Sequence, residues 1–405
     1  MKTVIEMLTE RFIKAKPILE KLEKHRFEAY FVGGCVRDLL LNRSIKDIDI
    51  ATSATPEEVQ KLFPKVIPVG IEHGTVIVRH EHESYEVTTF RLDGDYSDSR
   101  HPDSVEFIKK IDKDLERRDF TINALAMDKT GEIIDLFEGE EDIEARLIRT
   151  VGDGSKRFKE DALRIIRALR FSSQLGFKIH PATLQHMVTN KSDIFQISVE
   201  RITNEMEKFF AGEYVQLGLE YLYKAEIYLD LPVFKDEPIL VQKLPREMKP
   251  LASFAEVIVL FHYLYPKVSI STWIKAWKCS NRMKRTAFEL FEDLSYYKQN
   301  GIDNEFIYQL TTDRFEPFIR LTDLLFNKKI IYNELHNKKL ALPIQVRNEL
   351  AIDGNDLLSL YPERKGGPWI KNIIETVEKK VVTGELKNNY QEIKEWLRWN
   401  QQEIN

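Results

Sequence analysis

The spacing of apolar residues changes part-way along the chain, and that change limits the fold more than any other feature. Up to about residue 135 they fall in short β-rich segments, at 29–32, 48–51, 75–79, 86–90, 124–128 and 133–135. Among these, Thr55-Pro56-Glu57-Glu58 marks a helix start, with Thr as N-cap, Pro at N1 and Glu at N3. Beyond residue 150 the spacing is helical, at 160–171, 181–190, 198–210 and 215–225, and strand signal is scarce to the end. An amphipathic helix over residues 4–24 precedes it all, with Val4, Leu8, Phe12, Leu19 and Leu22 on one face. The expected class is α+β: a mixed-sheet head of about 150 residues, then a long helical portion. Residues 245–250 and 361–368 read as loops in it.

Charge narrows the function less than it first suggests. Lysine and arginine total 60 against 65 acidic residues, a net charge of −5. A uniformly basic nucleic-acid coat is excluded; a local basic patch is not. Residues 156–178 hold seven basic and two acidic side chains. Cys35 and Cys279 form neither a disulfide framework nor a CxxC metal site, which suits a reducing compartment and an expected cytoplasmic location. The first sixteen residues lack a signal peptide's apolar run. The most apolar stretch, at 257–265, is too short to span a bilayer, so no membrane partner is expected.

Four clusters carry chemistry. In Val32-Gly33-Gly34-Cys35-Val36-Arg37-Asp38, two glycines after a strand let the backbone approach a phosphate, with Arg37 to grip it; an ordinary glycine turn is also compatible. In Asp47-Ile48-Asp49-Ile50, alternation along a strand puts both carboxylates on one face, suited to Mg²⁺. Like charges side by side are otherwise unfavourable. The same pattern recurs at Asp93/Asp95 and Asp112/Asp114 in more polar surroundings. Glu86, opening a strand, is a candidate third carboxylate and equally compatible with a solvent-facing position. In Arg117-Arg118-Asp119-Phe120-Thr121-Ile122-Asn123-Ala124, cations, a carboxylate and an amide suit phosphate and ribose, or else a charged helix end. The fourth cluster is a helix, Glu160 to Arg170. Ala162, Ile165, Ile166 and Leu169 form its apolar face, with Asp161, Arg164, Arg167 and Arg170 opposite.

In this order and spacing the clusters resemble the class II tRNA nucleotidyltransferases, the bacterial CCA-adding enzymes. Ile197-Ser198-Val199-Glu200-Arg201-Ile202 continues the match, and Ile352-Asp353-Gly354-Asn355-Asp356-Leu357 and Gly366-Gly367-Pro368-Trp369-Ile370 look like the family's tail. The resemblance implies a polymerase-β-like catalytic head over residues 1–150, a helical neck over 151–210, a body over 211–320 and a tRNA-binding tail over 321–405. It implies two Mg²⁺ ions held by Asp47 and Asp49, with CTP and ATP as substrates and tRNA bound at its acceptor stem and elbow. Gly33, Gly34 and Arg37 would contact phosphates; Arg118, Asp119 and Asn123 would serve the ribose. Asp161 and Arg164 would read the base, and Arg167 and Arg170 would meet triphosphate or RNA backbone. No oligomeric partner is implied.

Bacterial poly(A) polymerases share such a head. They carry a basic segment after the metal aspartates, where this chain has Val69-Gly70-Ile71-Glu72-His73-Gly74-Thr75. Partial CC-adding relatives lack a loop that residues 92–104 would supply here. A non-catalytic RNA-binding protein on the same fold is the remote alternative, opposed by the intact Asp47/Asp49 pair.

Overall fold

The computed structural model describes residues 10–94, 104–245 and 247–400. It divides into two compact units, Met1–Gln242 with Ala276–Lys278, and Lys243–Lys275 with Cys279–Asn405.

The first unit opens with α1 (Glu10–Lys24), which buries Phe12, Ala15, Ile18, Leu19 and Leu22. The head then runs β1 (Ala29–Val32), α2 (Gly34–Leu40), β2 (Asp49–Thr52), α3 (Pro56–Leu62), β3 (Val66–Pro68), β4 (Thr75–His80) and β5 (Glu83–Thr89). It continues through β6 (Arg91–Asp93), β7 (Val105–Phe107), α4 (Ile111–Glu116), β8 (Leu125–Met127), β9 (Ile133–Asp135) and α5 (Gly139–Glu144). Seven strands form one mixed sheet in the order β3-β4-β5-β2-β1-β8-β9. β2 and β5 pair in parallel and the other neighbours antiparallel. β1 lies inside the sheet between β2 and β8, with Ala29, Phe31 and Val32 buried; Phe31 packs edge-on against Phe12, ring centroids 4.9 Å apart. The capping box at Thr55 forms as expected, with Glu58 donating its N–H to the Thr55 hydroxyl and accepting the Thr55 N–H.

Beyond the head come β10 (Leu147–Ile148), α6 (Gly154–Glu160), α7 (Leu163–Leu175), β11 (Lys178–Ile179), α8 (Pro181–Asn190), α9 (Val199–Phe210) and α10 (Val215–Lys224). Helices dominate here, though β11 pairs in parallel with β10, a bridge too short for periodicity to reveal. The helix expected over 160–171 is two helices. Asp161 sits between them in an extended conformation, and its carboxylate accepts the Leu163 N–H at 3.0 Å to start α7.

The rest is helical: α11 (Phe254–Leu264), α12 (Ile270–Ala276), α13 (Asn281–Asn300), α14 (Asn304–Gln309), α15 (Phe315–Phe326), α16 (Tyr332–Leu340), α17 (Gly354–Leu360), α18 (Pro368–Thr383) and α19 (Tyr390–Trp399). In the second unit, buried Glu256 is paired with Arg320 at 2.8 Å, and Leu357, Ile373, Val377, Val381, Ile393 and Leu397 share a core. Asp353 caps α17 through a capping box with Asp356, which accounts for that tail motif structurally. No helix of the described residues is long and apolar enough to cross a membrane. Residues 4–9 of the first expected helix, and residues 95–103 of the expected loop, lie outside the described residues.

Candidate active site

One cavity of about 750 Å³ in the first unit gathers all thirteen candidates: Gly33, Gly34, Arg37, Asp47, Asp49, Glu86, Arg118, Asp119, Asn123, Asp161, Arg164, Arg167 and Arg170. The sheet supplies the carboxylates. β1 ends at Val32 and the chain turns at Gly33 with φ +72°, where a Cβ would lie 2.8 Å from the Arg118 guanidinium. Only glycine fits that turn without strain. Asp49 begins β2, while Asp47 lies just before the strand rather than on it. Parallel pairing sets Glu86 of β5 directly beside Asp49, which gives Glu86 a place in the cavity that the sequence left open.

Burial, and then the neighbouring Glu86 charge, push the Asp49 carboxyl up to about 6; Arg118 counters this and Asp47 adds to it. No side chain among the described residues makes a hydrogen bond or ion pair to the carboxylate of Asp47, Asp49 or Glu86. An acidic cluster without partners, beside cations that would face phosphates, fits a hard divalent cation taking oxygen ligands. The described residues contain no preassembled group of three protein ligands, so such an ion would need substrate or water oxygens too.

The opposite wall is cross-braced. Arg37, stacked over the Phe171 ring at 5.1 Å, donates to Asn123 Oδ1 at 2.5 Å and to Asp38 at 2.9 Å. Asn123 donates in turn to Asp119 at 3.0 Å, and Asp119 accepts the Phe120 N–H and both Nε and NH2 of Arg167, at 2.8 and 2.6 Å. Burial alone would raise the Asp119 carboxyl. The Arg167 charge and these hydrogen bonds instead hold it far below the usual carboxylate range. Asp114 behaves alike: burial opposes ionisation, but Arg117 at 2.7 Å and Arg118 at 3.2 Å keep its carboxyl below the ordinary value.

Arg170 packs 4.1 Å over Phe171 and lies 2.9 Å from Glu205 Oε2, at an angle that makes an ion pair but no hydrogen bond. Burial, with Arg167 beside it, lowers its guanidinium to about 10. The arginine face of α7, which composition left with little nearby acid, is largely buried against acids from other elements.

Asp161 and Arg164 line the cavity with different clamps. Asp161 accepts from Arg201 at 2.8 Å. Arg164 donates NH1 to Glu160 and to the Arg157 carbonyl, and NH2 to the Arg117 carbonyl at 3.0 Å. Its Nε–H and one NH2 proton remain available. Arg201, Lys208, Asp114, Arg117, Phe171 and Gln174 also line the cavity and had not been singled out as site residues. Arg201 had a signal, in the 197–202 motif; Lys208 had none beyond its charge. Residues 71–73 of the segment that distinguished the polymerase classes form a tight turn into β4, whose Thr75 reaches the cavity.

Comparisons with known proteins find related families along most of the chain. The poly A polymerase head domain family matches residues 29–149, and the probable RNA and SrmB-binding site of polymerase A matches residues 176–236. The putative domain 2 of tRNA nucleotidyltransferases matches residues 251–397. The chain is 50% identical over 400 residues to a CCA-adding enzyme of Oceanobacillus iheyensis, covering 98% of this chain and 100% of the relative. The chain belongs to the CCA-adding enzymes. Another member of the family, from a Geobacillus species, is 41% identical over 96% of this chain and 97% of its own. The crystal structure of the Bacillus stearothermophilus CCA-adding enzyme in complex with CTP superposes with a TM-score of 0.85 at 37% identity, over 98% of this chain and 99% of that one. A Thermotoga maritima CCA-adding enzyme complexed with tRNA shares the fold at 20% identity, with a TM-score of 0.63 over 98% and 97% of the two chains. As a CCA-adding enzyme the chain is a nucleotidyltransferase, and the non-catalytic alternative falls.

Proposed function

We propose that the enzyme adds C, C and A in turn to the 3′ end of tRNA, from CTP and ATP and without a nucleic-acid template. The observation that carries this is the cavity itself, where unpaired carboxylates face a braced arginine wall. The 3′-hydroxyl gives up its proton to water, its oxygen forms a bond to the α-phosphorus, the bond from that phosphorus to the bridging oxygen breaks, and pyrophosphate leaves with that electron pair. Asp47 and Asp49, with Glu86 beside them, would hold two Mg²⁺ ions. When bound, these would supply charge neutralisation at the triphosphate and a more acidic 3′-hydroxyl.

The chain's own groups do the rest. Gly33 and Gly34 leave room for phosphate against the backbone, and Arg37, Arg167 and Arg170 face it with positive charge held at fixed positions. Arg118, Asp119 and Asn123 border the ribose position. Asp161 accepts from the exocyclic amine of cytosine or adenine, and the free Arg164 N–H groups donate to the adjacent ring nitrogen. Uracil and guanine present a carbonyl and an N–H there, setting oxygen against carboxylate and donor against donor. The Arg201 and Glu160 clamps support this reading because they fix both readers before a base arrives. We assign residues 1–150 to the catalytic head, 151–210 to the base-reading neck, and 211–320 and 321–405 to the body and the tail that meets the tRNA elbow.

The test is product sequencing after incubation with Mg²⁺, CTP and ATP, on tRNAs ending before C, CC and CCA. Restoration of one complete CCA end on each truncated tRNA is expected. Homopolymeric A would favour poly(A) synthesis, arrest after CC or addition of A alone would indicate a partial enzyme, and no incorporation would remove the reading.

A further inference from the structure

A second cavity, of about 570 Å³, adjoins the first, and Gly34, Arg37, Asp47, Asp49, Gln174 and Lys208 line both. The rest of the two linings is segregated. Glu86, Asp161 and Arg164 border only the first; Arg43, Ser44 and Lys46 border only the second. Three cations of the second cavity are scarcely neutralised. Arg43 donates to the Gln174 carbonyl at 3.2 Å and meets no carboxylate among the described residues. Lys46 has no side-chain hydrogen bond or ion pair among the described residues. Lys208 lies 3.9 Å from its nearest acid, Glu205. Of the acids on this lining, Asp38 is occupied by Arg37, Asp47 and Asp49 belong to the metal position, and Glu213 is exposed.

In-line displacement puts the entering and leaving oxygens on opposite sides of the α-phosphorus. With the base at Asp161 and Arg164 and the α-phosphate at Asp47 and Asp49, the Glu86 side borders the first cavity alone. Asp47 and Asp49, where the α-phosphate would sit, border both cavities, so the second cavity reaches the reacting phosphate without passing Glu86, Asp161 or Arg164. We propose that the second cavity receives the pyrophosphate leaving group, held by Arg43, Lys46 and Lys208, and gives it a way out that crosses neither the base-reading residues nor the RNA end. This rests on the catalytic reading of the first cavity. A diphosphate suits the place because its charge is high and compact, and the cations are a guanidinium and two ammonium groups on flexible stems.

The experiment uses pyrophosphate itself, as product inhibitor of CTP incorporation and as substrate of the reverse reaction on a tRNA ending in CCA. In the double variant Arg43→Ala, Lys46→Ala, the inhibition constant for pyrophosphate should rise about tenfold, the loss expected of a charge-assisted contact or two. KM for CTP and for tRNA should stay within about twofold of the wild type, and Lys46→Arg should keep most of the pyrophosphate affinity. An unchanged inhibition constant overturns the proposal. So does a raised KM for tRNA at constant inhibition, which would assign the cations to the RNA backbone. A KM for CTP rising in proportion to the inhibition constant would merge them with the nucleotide site, and overturns it too. Absence of incorporation by the wild type would instead remove the catalytic reading beneath it.

Discussion

Asp49 and Asp119 face the same cavity from opposite walls and live under opposite conditions. The Asp49 carboxylate has acids for neighbours, makes no hydrogen bond, and is pushed up to about 6 by burial and by Glu86. Asp119 accepts from Asn123, Arg167 and a backbone N–H, and is held far below the usual range although burial opposes it. One wall keeps charge unsatisfied until a ligand brings its complement. The other is finished before any ligand arrives. Removing a side chain from the first should therefore be felt in chemistry, and from the second in stability.

The largest expected effect is on the open wall. Asp49→Ala should cut CTP incorporation by about a thousand-fold, roughly 4 kcal/mol of transition-state stabilisation, with tRNA retention on filters largely kept. Its urea midpoint should match or exceed the wild type's, because a like-charge contact is removed. A lowered midpoint would erase the contrast between the walls. Asp119→Ala should do the reverse, lowering stability by about 3–5 kcal/mol in urea titrations because Arg167 is left buried without its partner. A variant of unchanged stability would show that the brace is dispensable.

At the junction of the walls, Asp161→Ala should relax discrimination against UTP and GTP by about tenfold or more in competition assays, with tRNA affinity little changed. Arg201→Ala should show the same trend more weakly, since Asp161 then loses its clamp. Acid sharpens the comparison further. Because Asp114 is depressed in the folded chain, its stabilising share is full above the ordinary aspartate value near 4 and is lost as pH falls through the folded value. The stability gap between the wild type and Asp114→Asn should thus be complete at pH 7 and narrow below about pH 4 in urea titrations. The smallest effect lies outside the cavity. Asp353→Ala should cost about 1 kcal/mol through the lost α17 cap, and leave kcat for CTP addition unchanged.

The sequence made the membership of the cavity readable, and the bracing of its walls far less so. Local rules placed β1, β9 and α8 at their observed bounds and the Thr55 cap on its helix, because period, proline and capping act over a few residues. The break at Asp161 escaped because Ala162, Ile165 and Ile166 continue a helical spacing across it. The α7 arginines read as a basic patch short of acid because the partners of Arg167 and Arg170, Asp119 and Glu205, lie some 35–50 residues away in sequence. Asp112 and Asp114 look equivalent in sequence, yet only Asp114 is buried among arginines. Glu86 could be ranked only after the parallel register set it beside Asp49. The second cavity was invisible for the same reason, since Lys208 lies about 160 residues beyond Arg43 and Lys46.

The parallel pairing of β2 with β5 also bears on the order in which the cavity is assembled during synthesis. An antiparallel hairpin could bring a carboxylate beside Asp49 within a few residues, whereas β5 reaches it only after the chain has run through α3, β3 and β4. A nascent chain on the ribosome that has exposed Asp47 and Asp49 has no third carboxylate, no neck arginines and no Glu205 to hold them. From Asp49 to Lys208 lie about 160 residues, on the order of ten to thirty seconds of translation at roughly 5–20 residues per second. During that interval the sheet carboxylates stand without the arginine wall, and on the proposed reading nothing is yet in place to choose a nucleotide.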